Sequence, residues 1–396
     1  MFKDFEIVLT APVRTAIGGF NGSLKGIPAT DLGAAVIKEV LRKTGLPGSK
    51  IDSAVLGNVI QAGNGMNPAR QAAINGGLPA SSPALTVNRV CGSGAQAIIT
   101  AAQEVALGTA AAVIAGGMEN MDRAPYLLLD GRWGTRMGHS QITDSMLRDG
   151  LNDAFSNEHS GWHTEDLVAE YGISREAQDR WAERSQNRFA TALASGKFKS
   201  EIVPIDVPKG KQQIEFSVDE QPRPETTFET LSKLRPAFRP NGTITAGNAP
   251  GLNSGASAML VSTRAFADQH HLQPIAKLVA FSVSAVEPGI FGIAPAPAIK
   301  LVLERAGWRL TDVDRVEINE AFAAVPLAVM KQTALPDEIV NVEGGAIAHG
   351  HAIGATGAVL TTRLLHSLTR DGLKRGIVTL CIGGGQGIAL ALEVLQ

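Results

Sequence analysis

Ile37-Lys38-Glu39-Val40-Leu41-Arg42-Lys43-Thr44-Gly45 has a near copy far along the chain, Ile299-Lys300-Leu301-Val302-Leu303-Glu304-Arg305-Ala306-Gly307. In both stretches apolar residues recur at helical spacing and a glycine stops the pattern. Seven residues beyond each glycine stands an aspartate, Asp52 or Asp314. Each aspartate leads into an apolar run, Ala54-Val55-Leu56 or Val316-Glu317-Ile318. Amphipathic helix, stop, loop and strand therefore occur twice, which predicts a duplicated fold.

The parallel extends outward. Thr86-Val87-Asn88-Arg89-Val90-Cys91-Gly92-Ser93-Gly94 follows a strand and opens an Ala-rich helix to about Leu107. His351-Ala352-Ile353-Gly354-Ala355-Thr356-Gly357 opens another to about Thr369. Setting Gly94 against Gly354 aligns Cys91 with His351. Each helix feeds a strand ending in glycines, Ala112 to Gly117 and Ile377 to Gly385, the latter expected to be the last strand. Strands alternating with helices predict an α/β architecture of mixed, mostly parallel sheets covered by helices. Residues 119–248 differ in texture. They are more polar, hold three of the four tryptophans, and carry one strong helix, Arg175 to Ser195, between Ser174 as cap and Gly196 as stop. They read as an insertion into a first half, residues 1–118, that residues 249–270 complete. Residues 271–396 form the second half.

Composition narrows the function. Hydrophobic residues make up 44% and charged residues 19%, enough to bury a large interior. The net charge of −2, without a concentrated basic patch, argues against a nucleic-acid partner. No run reaches the roughly 18 apolar residues of a membrane span. Neither end carries a targeting signal, so a cytoplasmic location is expected. Two distant cysteines make no disulfide framework, which also suits a reducing compartment. No metal-ligand spacing occurs, and His270-His271 reads as a surface pair.

Those two cysteines are the first candidates for chemistry. Cys91, between a strand and a helix, should lie at a helix N-terminus, where backbone N–H groups favour the thiolate. The alternative is a buried small hydrophobe. His351, in the equivalent turn of the other half, is placed to take the thiol proton. Cys381 stands before Ile382-Gly383-Gly384-Gly385, where backbone N–H groups can turn toward a developing oxyanion. Asn319 follows a strand and begins a helical pattern, so on its own it reads as a helix cap.

Taken together, Val90 to Gly94, Asn319-Glu320-Ala321-Phe322, Gly350 to Gly354 and Cys381 to Gly385 resemble, in order and spacing, the four catalytic blocks of the thiolase family. Gly116 to Met121 and Thr245-Ala246-Gly247-Asn248 match further blocks. The resemblance runs from about Ile7 to the C-terminus. It implies a duplicated α-β-α-β-α fold with a CoA-binding loop domain. It implies acyl transfer through Cys91, activated by His351. His351 and a water on Asn319 would donate to the thioester oxygen, Cys381 would exchange the α-proton, and the N–H groups of Cys91 and Gly383 would hold the acyl oxygen. CoA would lie against His159, Arg223, Thr230, Phe238, Ala246 and Gly247. No metal or redox cofactor is implied; CoA and acyl-CoA are substrates. The stretch Arg132 to Phe155 resembles the tetramerisation region of bacterial members, so a homotetramer is expected.

Several positions depart from the family's pattern. Pro250 replaces a serine that bonds the pantetheine, Ser160 and Phe291 replace methionines that line the acyl pocket, Ala352 replaces a proline beside His351, and His349 replaces a leucine. Ala352 is expected to loosen the turn that carries His351. Two further readings differ in the groups they require. A ketoacyl-synthase-type enzyme would lack the second thiol, and a silent CoA- or lipid-binding relative would have lost Cys91, His351 or Cys381. Cys381 argues against the first, and all three groups are kept against the second, which Pro250 and Ala352 leave open.

Overall fold

The computed structural model describes residues 6–395; Met1–Phe5 and Gln396, on which the targeting reading partly rests, lie outside them. The first half contains β1 (Ile7–Thr15), α1 (Ala29–Thr44), β2 (Ser53–Gly57), α2 (Pro68–Asn75), β3 (Ala84–Val87), α3 (Ser93–Ala106) and β4 (Ala112–Asn120). A long insertion follows, with α4 (Ser160–Tyr171) and α5 (Arg175–Ala194), before β5 (Asn253–Thr263) returns to the first half. The second half contains β6 (Ala276–Ala285), α6 (Pro295–Ala306), β7 (Arg315–Ile318), α7 (Ala324–Thr333), α8 (Thr356–Arg370), β8 (Arg375–Ile382) and β9 (Gln386–Val394).

The repeated residues do the same work in both halves. Helices α1 and α6 stop at Gly45 and Gly307, each left-handed with φ 67°. Asp52 accepts hydrogen bonds from the backbone N–H groups of Ala111 (2.7 Å) and Ala112 (3.0 Å), pinning the start of β4. Asp314 does the same for the start of β8, through Lys374 (2.9 Å) and Arg375 (2.7 Å). The helix expected in the insertion is α5, capped by the Ser174 side chain on the Ala177 N–H.

The strands lie in the order β7-β8-β9-β6-β1-β5-β4-β2-β3. Two residue pairs between β1 and β6, Val8↔Lys277 and Leu9↔Ala276, join the halves. Only β7·β8, β2·β4 and β2·β3 run parallel along this path, so the mostly parallel expectation is wrong. The physical reasons are local. The glycines after β8 turn the chain straight back into β9, with Gly384 and Gly385 at φ 82° and 84°. Cys381 is thus not on the last strand. In the first half the chain comes back from the insertion to place β5 antiparallel to both β4 and β1.

Alternating residues divide each strand between two cores. Val113 and Ala115 of β4, and Ile388, Leu390 and Leu392 of β9, face a central core built around α3 and α8. Ala112 and Ile114 of β4 face an outer core with α1 and α2. Ala389 and Ala391 of β9 face another outer core with α6 and α7. The layering is therefore α-β-α-β-α, with α3 and α8 in the middle. Each fully buried leucine or isoleucine there stabilises the fold by about 1.5–3 kcal/mol.

The two central helices touch backbone to backbone near their starts. A Cβ on Gly94 would meet the Ala358 nitrogen at 2.6 Å, and one on Gly357 would meet the Ala95 nitrogen. This reciprocity pairs Gly94 with Gly357, not with Gly354, so the expected alignment is corrected by one helical turn. His351 then lies five residues before its helix, whereas Cys91 lies two before Ser93. Close contact at the glycines brings the segments carrying both residues to one place.

Candidate active site

Cys91 sits at a strained entry to α3. Val90, the residue before it, has φ 44°, a conformation that a β-branched residue rarely adopts and that costs about 1–3 kcal/mol. Surrounding hydrogen bonds impose it. Asn88 Oδ1 accepts from the Val90 N–H (2.9 Å), and Ser93 Oγ donates to the Val90 carbonyl (2.7 Å) while accepting from the Arg89 N–H (2.8 Å). The expected thiolate is not the resting form. Burial pushes the Cys91 thiol up to about 11, although the N–H groups of Gly383 and of Cys91 itself pull the other way. Desolvation of the charge outweighs the helix terminus here. Cys91 therefore needs a base.

His351 is held both at its backbone and at its ring. Its backbone N–H donates to Asn253 Oδ1 at 2.8 Å. Thr356 Oγ1 donates its hydrogen to the Ala352 carbonyl (2.8 Å), so at 2.7 Å from His351 Nδ1 it acts as acceptor. The ring consequently carries its hydrogen on Nδ1 and leaves a lone pair on Nε2. Burial lowers its pKa to about 4, which keeps it neutral at physiological pH. These contacts lie in the turn that contains Ala352.

Asn319 is not a helix cap, because α7 begins only at Ala324. It is fully buried, with Nδ2 3.4 Å from His351 Nε2 and Oδ1 without a hydrogen-bond partner. Glu320 beside it, to which the sequence reading gave no role, is a structural hub. It accepts from Trp181 Nε1 (2.9 Å), Ser185 Oγ (2.8 Å), Asn341 Nδ2 (2.9 Å) and the Ile347 N–H (3.0 Å). Cys381 is fully buried and forms part of the second-half core. Burial first, and then the proximity of Cys91, hold its thiol well above the ordinary value.

A cavity of about 370 Å³ opens onto Cys91, His351 and Gly383. His159, Ser160, Phe238 and Phe291 all line it, as does Pro250; Cys381 does not. His159 caps α4, accepting the Gly161 N–H on Nδ1 at 2.9 Å, and stacks on Phe238 with centroids 4.6 Å apart. Burial lowers its pKa to about 4. Phe238 meets Phe322 edge-on at 6.0 Å, which completes an aromatic wall. Arg223, Thr230, Ala246 and Gly247 line a second cavity of about 280 Å³ that shares Ala249 with the first. The Thr230 hydroxyl is already engaged, donating to the Thr227 carbonyl (2.8 Å) and accepting the Thr227 N–H (3.1 Å). Among the described residues no group of three or more His, Cys, Asp or Glu is arranged to hold a metal ion. No helix there is long and apolar enough to cross a membrane.

His349 points elsewhere. It is completely buried, its ring lies 6.2 Å from that of Phe189 on α5, and neither ring nitrogen finds a hydrogen-bond partner of good geometry. Burial, then the charges of Arg363 and Arg14, hold its pKa well below the ordinary value. An unfolded imidazole takes up a proton below about pH 6.5, whereas the folded one does not, so this group's share of stability is lost as pH falls through that value. Buried Glu119 and Glu317, raised to about 7 and about 8, act in the opposite sense. A difference measurement isolates the histidine. The stability of His349→Leu relative to wild type, from urea unfolding, should rise by about 1.4 kcal/mol for each pH unit below 6.5. A difference independent of pH would refute the assignment.

Comparison with known proteins gives the family and the fold. The family description for the thiolase N-terminal domain matches residues 7–265, and that for the thiolase C-terminal domain matches residues 272–394. An acetyl-CoA acetyltransferase of Pseudomonas aeruginosa is 49% identical over 388 residues, covering 98% of this chain and 99% of that protein. A probable acetyl-CoA acyltransferase of Staphylococcus aureus is 50% identical over 389 residues, covering 98% and 99%. Among solved structures, the Bacillus anthracis acetyl-CoA acetyltransferase superposes with a TM-score of 0.97 at 43% identity, covering 99% of both chains. Human mitochondrial 3-ketoacyl-CoA thiolase in complex with CoA gives 0.94 at 40% identity, covering 99% of this chain and 98% of that one.

Proposed function

The chain belongs to the thiolase family, and we propose that it is an acyltransferase working through a Cys91 acyl-enzyme, interconverting two acetyl-CoA with acetoacetyl-CoA and CoA. The observation that carries this reading is the Nε2 lone pair of His351 opening onto the same cavity as a protonated Cys91 whose sulfur faces the Gly383 N–H. In thiolysis, His351 takes the Cys91 proton and the thiolate attacks the 3-keto carbon. The bond from that carbon to C2 breaks. Its electron pair leaves as the enolate of acetyl-CoA, whose oxygen accepts from the newly protonated Nε2 and from a water held by Asn319. Cys381 then gives its proton to C2. The acyl oxygen on Cys91 lies toward the N–H groups of Cys91 and Gly383, which strengthen as negative charge develops. The proton on Nε2 returns to Cys381. CoA then passes its thiol proton to His351 as its sulfur attacks the acyl group, and Cys91 leaves as a thiolate that takes that proton back. Condensation runs the same steps in reverse.

CoA is taken to lie along the two cavities that meet at Ala249, with its nucleotide end toward Arg223 and its pantetheine past Gly247, Ala246 and Phe238. Ser160 and Phe291 face the acyl group. A broader or longer 3-ketoacyl-CoA preference is the second reading, because Ser160 removes a bulky side chain from the cavity wall. The exposed apolar side chains of Trp133, Met137 and Ile142 support a homotetramer formed through the Arg132–Phe155 stretch; a cytoplasmic location is part of the same proposal. A CoA-dependent thiolysis assay on acetoacetyl-CoA and on six- and ten-carbon 3-ketoacyl-CoAs decides the substrate. Highest kcat/KM on acetoacetyl-CoA is expected; turnover of none would reject the enzyme reading.

A further inference from the structure

Glu119, next to the last residue of β4, has its side chain completely buried and takes no part in the chemistry above. Four donors surround its carboxylate. Oε1 accepts from Asn58 Nδ2 at 2.8 Å, and Oε2 accepts from the Val59 N–H at 2.9 Å. The Ile60 N–H lies 3.4 Å from Oε1, and Oε2 also accepts from the Gly354 N–H at 3.0 Å. The first three donors belong to the loop after β2, in the first half. The fourth belongs to the second half, on the turn between His351 and α8. Gly354 has no room for a side chain, since a Cβ there would lie 2.6 Å from Glu119 Oε2. Val59, Ile60, Met121 and Ile353 form a small apolar cluster against which Val90 and Cys91 pack. One carboxylate thus ties the loop beneath Cys91 to the turn that carries His351.

We propose that Glu119 is a positioning residue, whose carboxylate bridges Val59 and Gly354 across the two halves and sets the separation of Cys91 from His351. Asn253 and Thr356 fix the backbone and ring of His351 within its turn. Glu119 fixes where that turn sits against the first half. In its ionised form, which prevails above about pH 7, the carboxylate cannot be replaced by an amide, because its four partners are all donors and an amide would direct its own N–H groups at one of them.

This inference rests on reading Cys91 and His351 as nucleophile and base, and the test separates the two. The rate of Cys91 alkylation by iodoacetamide from pH 6 to 9 reports how well His351 takes the proton, whether or not thiolysis occurs. In Glu119→Gln, alkylation and the kcat for acetoacetyl-CoA thiolysis should both fall about tenfold, as a small misplacement of reacting groups does. KM for CoA should stay within twofold, because the carboxylate touches neither cavity. Wild-type alkylation and kcat, or a raised KM with unchanged alkylation, would overturn the proposal. Should Glu119→Gln not fold, Asn58→Ala decides, since it removes one donor and leaves the carboxylate in place. Slowed alkylation with KM for CoA preserved supports the proposal, and an unchanged rate overturns it.

Discussion

Replacing Cys91 with alanine should lower thiolysis and condensation by roughly 10⁴-fold or more, the scale seen when a covalent nucleophile is removed. The surroundings leave no substitute. Cys381 is fully buried beside Cys91 and, in the proposed mechanism, exchanges the α-proton and does not take the acyl group. His351 would keep its lone pair with no thiol to deprotonate. The fold should survive, because the substitution removes one sulfur and leaves the bonds of Asn88 and Ser93 that hold the Val90 turn. Steady-state assays with acetoacetyl-CoA and CoA, alongside a thermal melt, separate loss of chemistry from loss of structure. Residual activity within tenfold of wild type would remove Cys91 from its role.

Replacing Cys381 with alanine should split the two half-reactions. Acyl transfer onto Cys91 needs only Cys91, His351 and the N–H groups of Cys91 and Gly383, so exchange of the acyl group between CoA molecules should persist within a few-fold. Condensation needs an α-proton removed. Loss of the group that moves it should cost about 10²–10⁴-fold. Isotope exchange between acetyl-CoA and labelled CoA, compared with acetoacetyl-CoA formation, gives both rates on one preparation. Equal loss of both would show that Cys381 supports the site as a whole.

What was legible in the sequence was what has a local cause. The helix, glycine and aspartate of each half could be read because Gly45 and Gly307 stop helices, while Asp52 and Asp314 bond the backbone of the next strand. Strand direction in the middle of the sheet was not legible. It depends on where β5 and β9 return, and nothing within either strand encodes that. Asn319 read as a cap because only its neighbours in sequence were visible; its partner, His351, lies far along the chain. The Cys91 thiolate was misjudged for a related reason: a helix start is visible in sequence, but the burial that outweighs it is not. Glu119 and Glu320 passed as members of motif blocks. Their roles emerge only when loops from both halves and the insertion converge on them. One signal was nevertheless present. A carboxylate within otherwise apolar runs must find partners if buried, and Glu119 and Glu320 both fit that description.

The most direct test of the account is the site of covalent attachment. After a brief incubation with acetyl-CoA and an acid quench, peptide mass spectrometry should find one acetyl group on the peptide containing Cys91 and none on that containing Cys381. The adduct should disappear when CoA is added before the quench. Acetylation at Cys381, or no adduct on either cysteine while acetoacetyl-CoA is turned over, would contradict it.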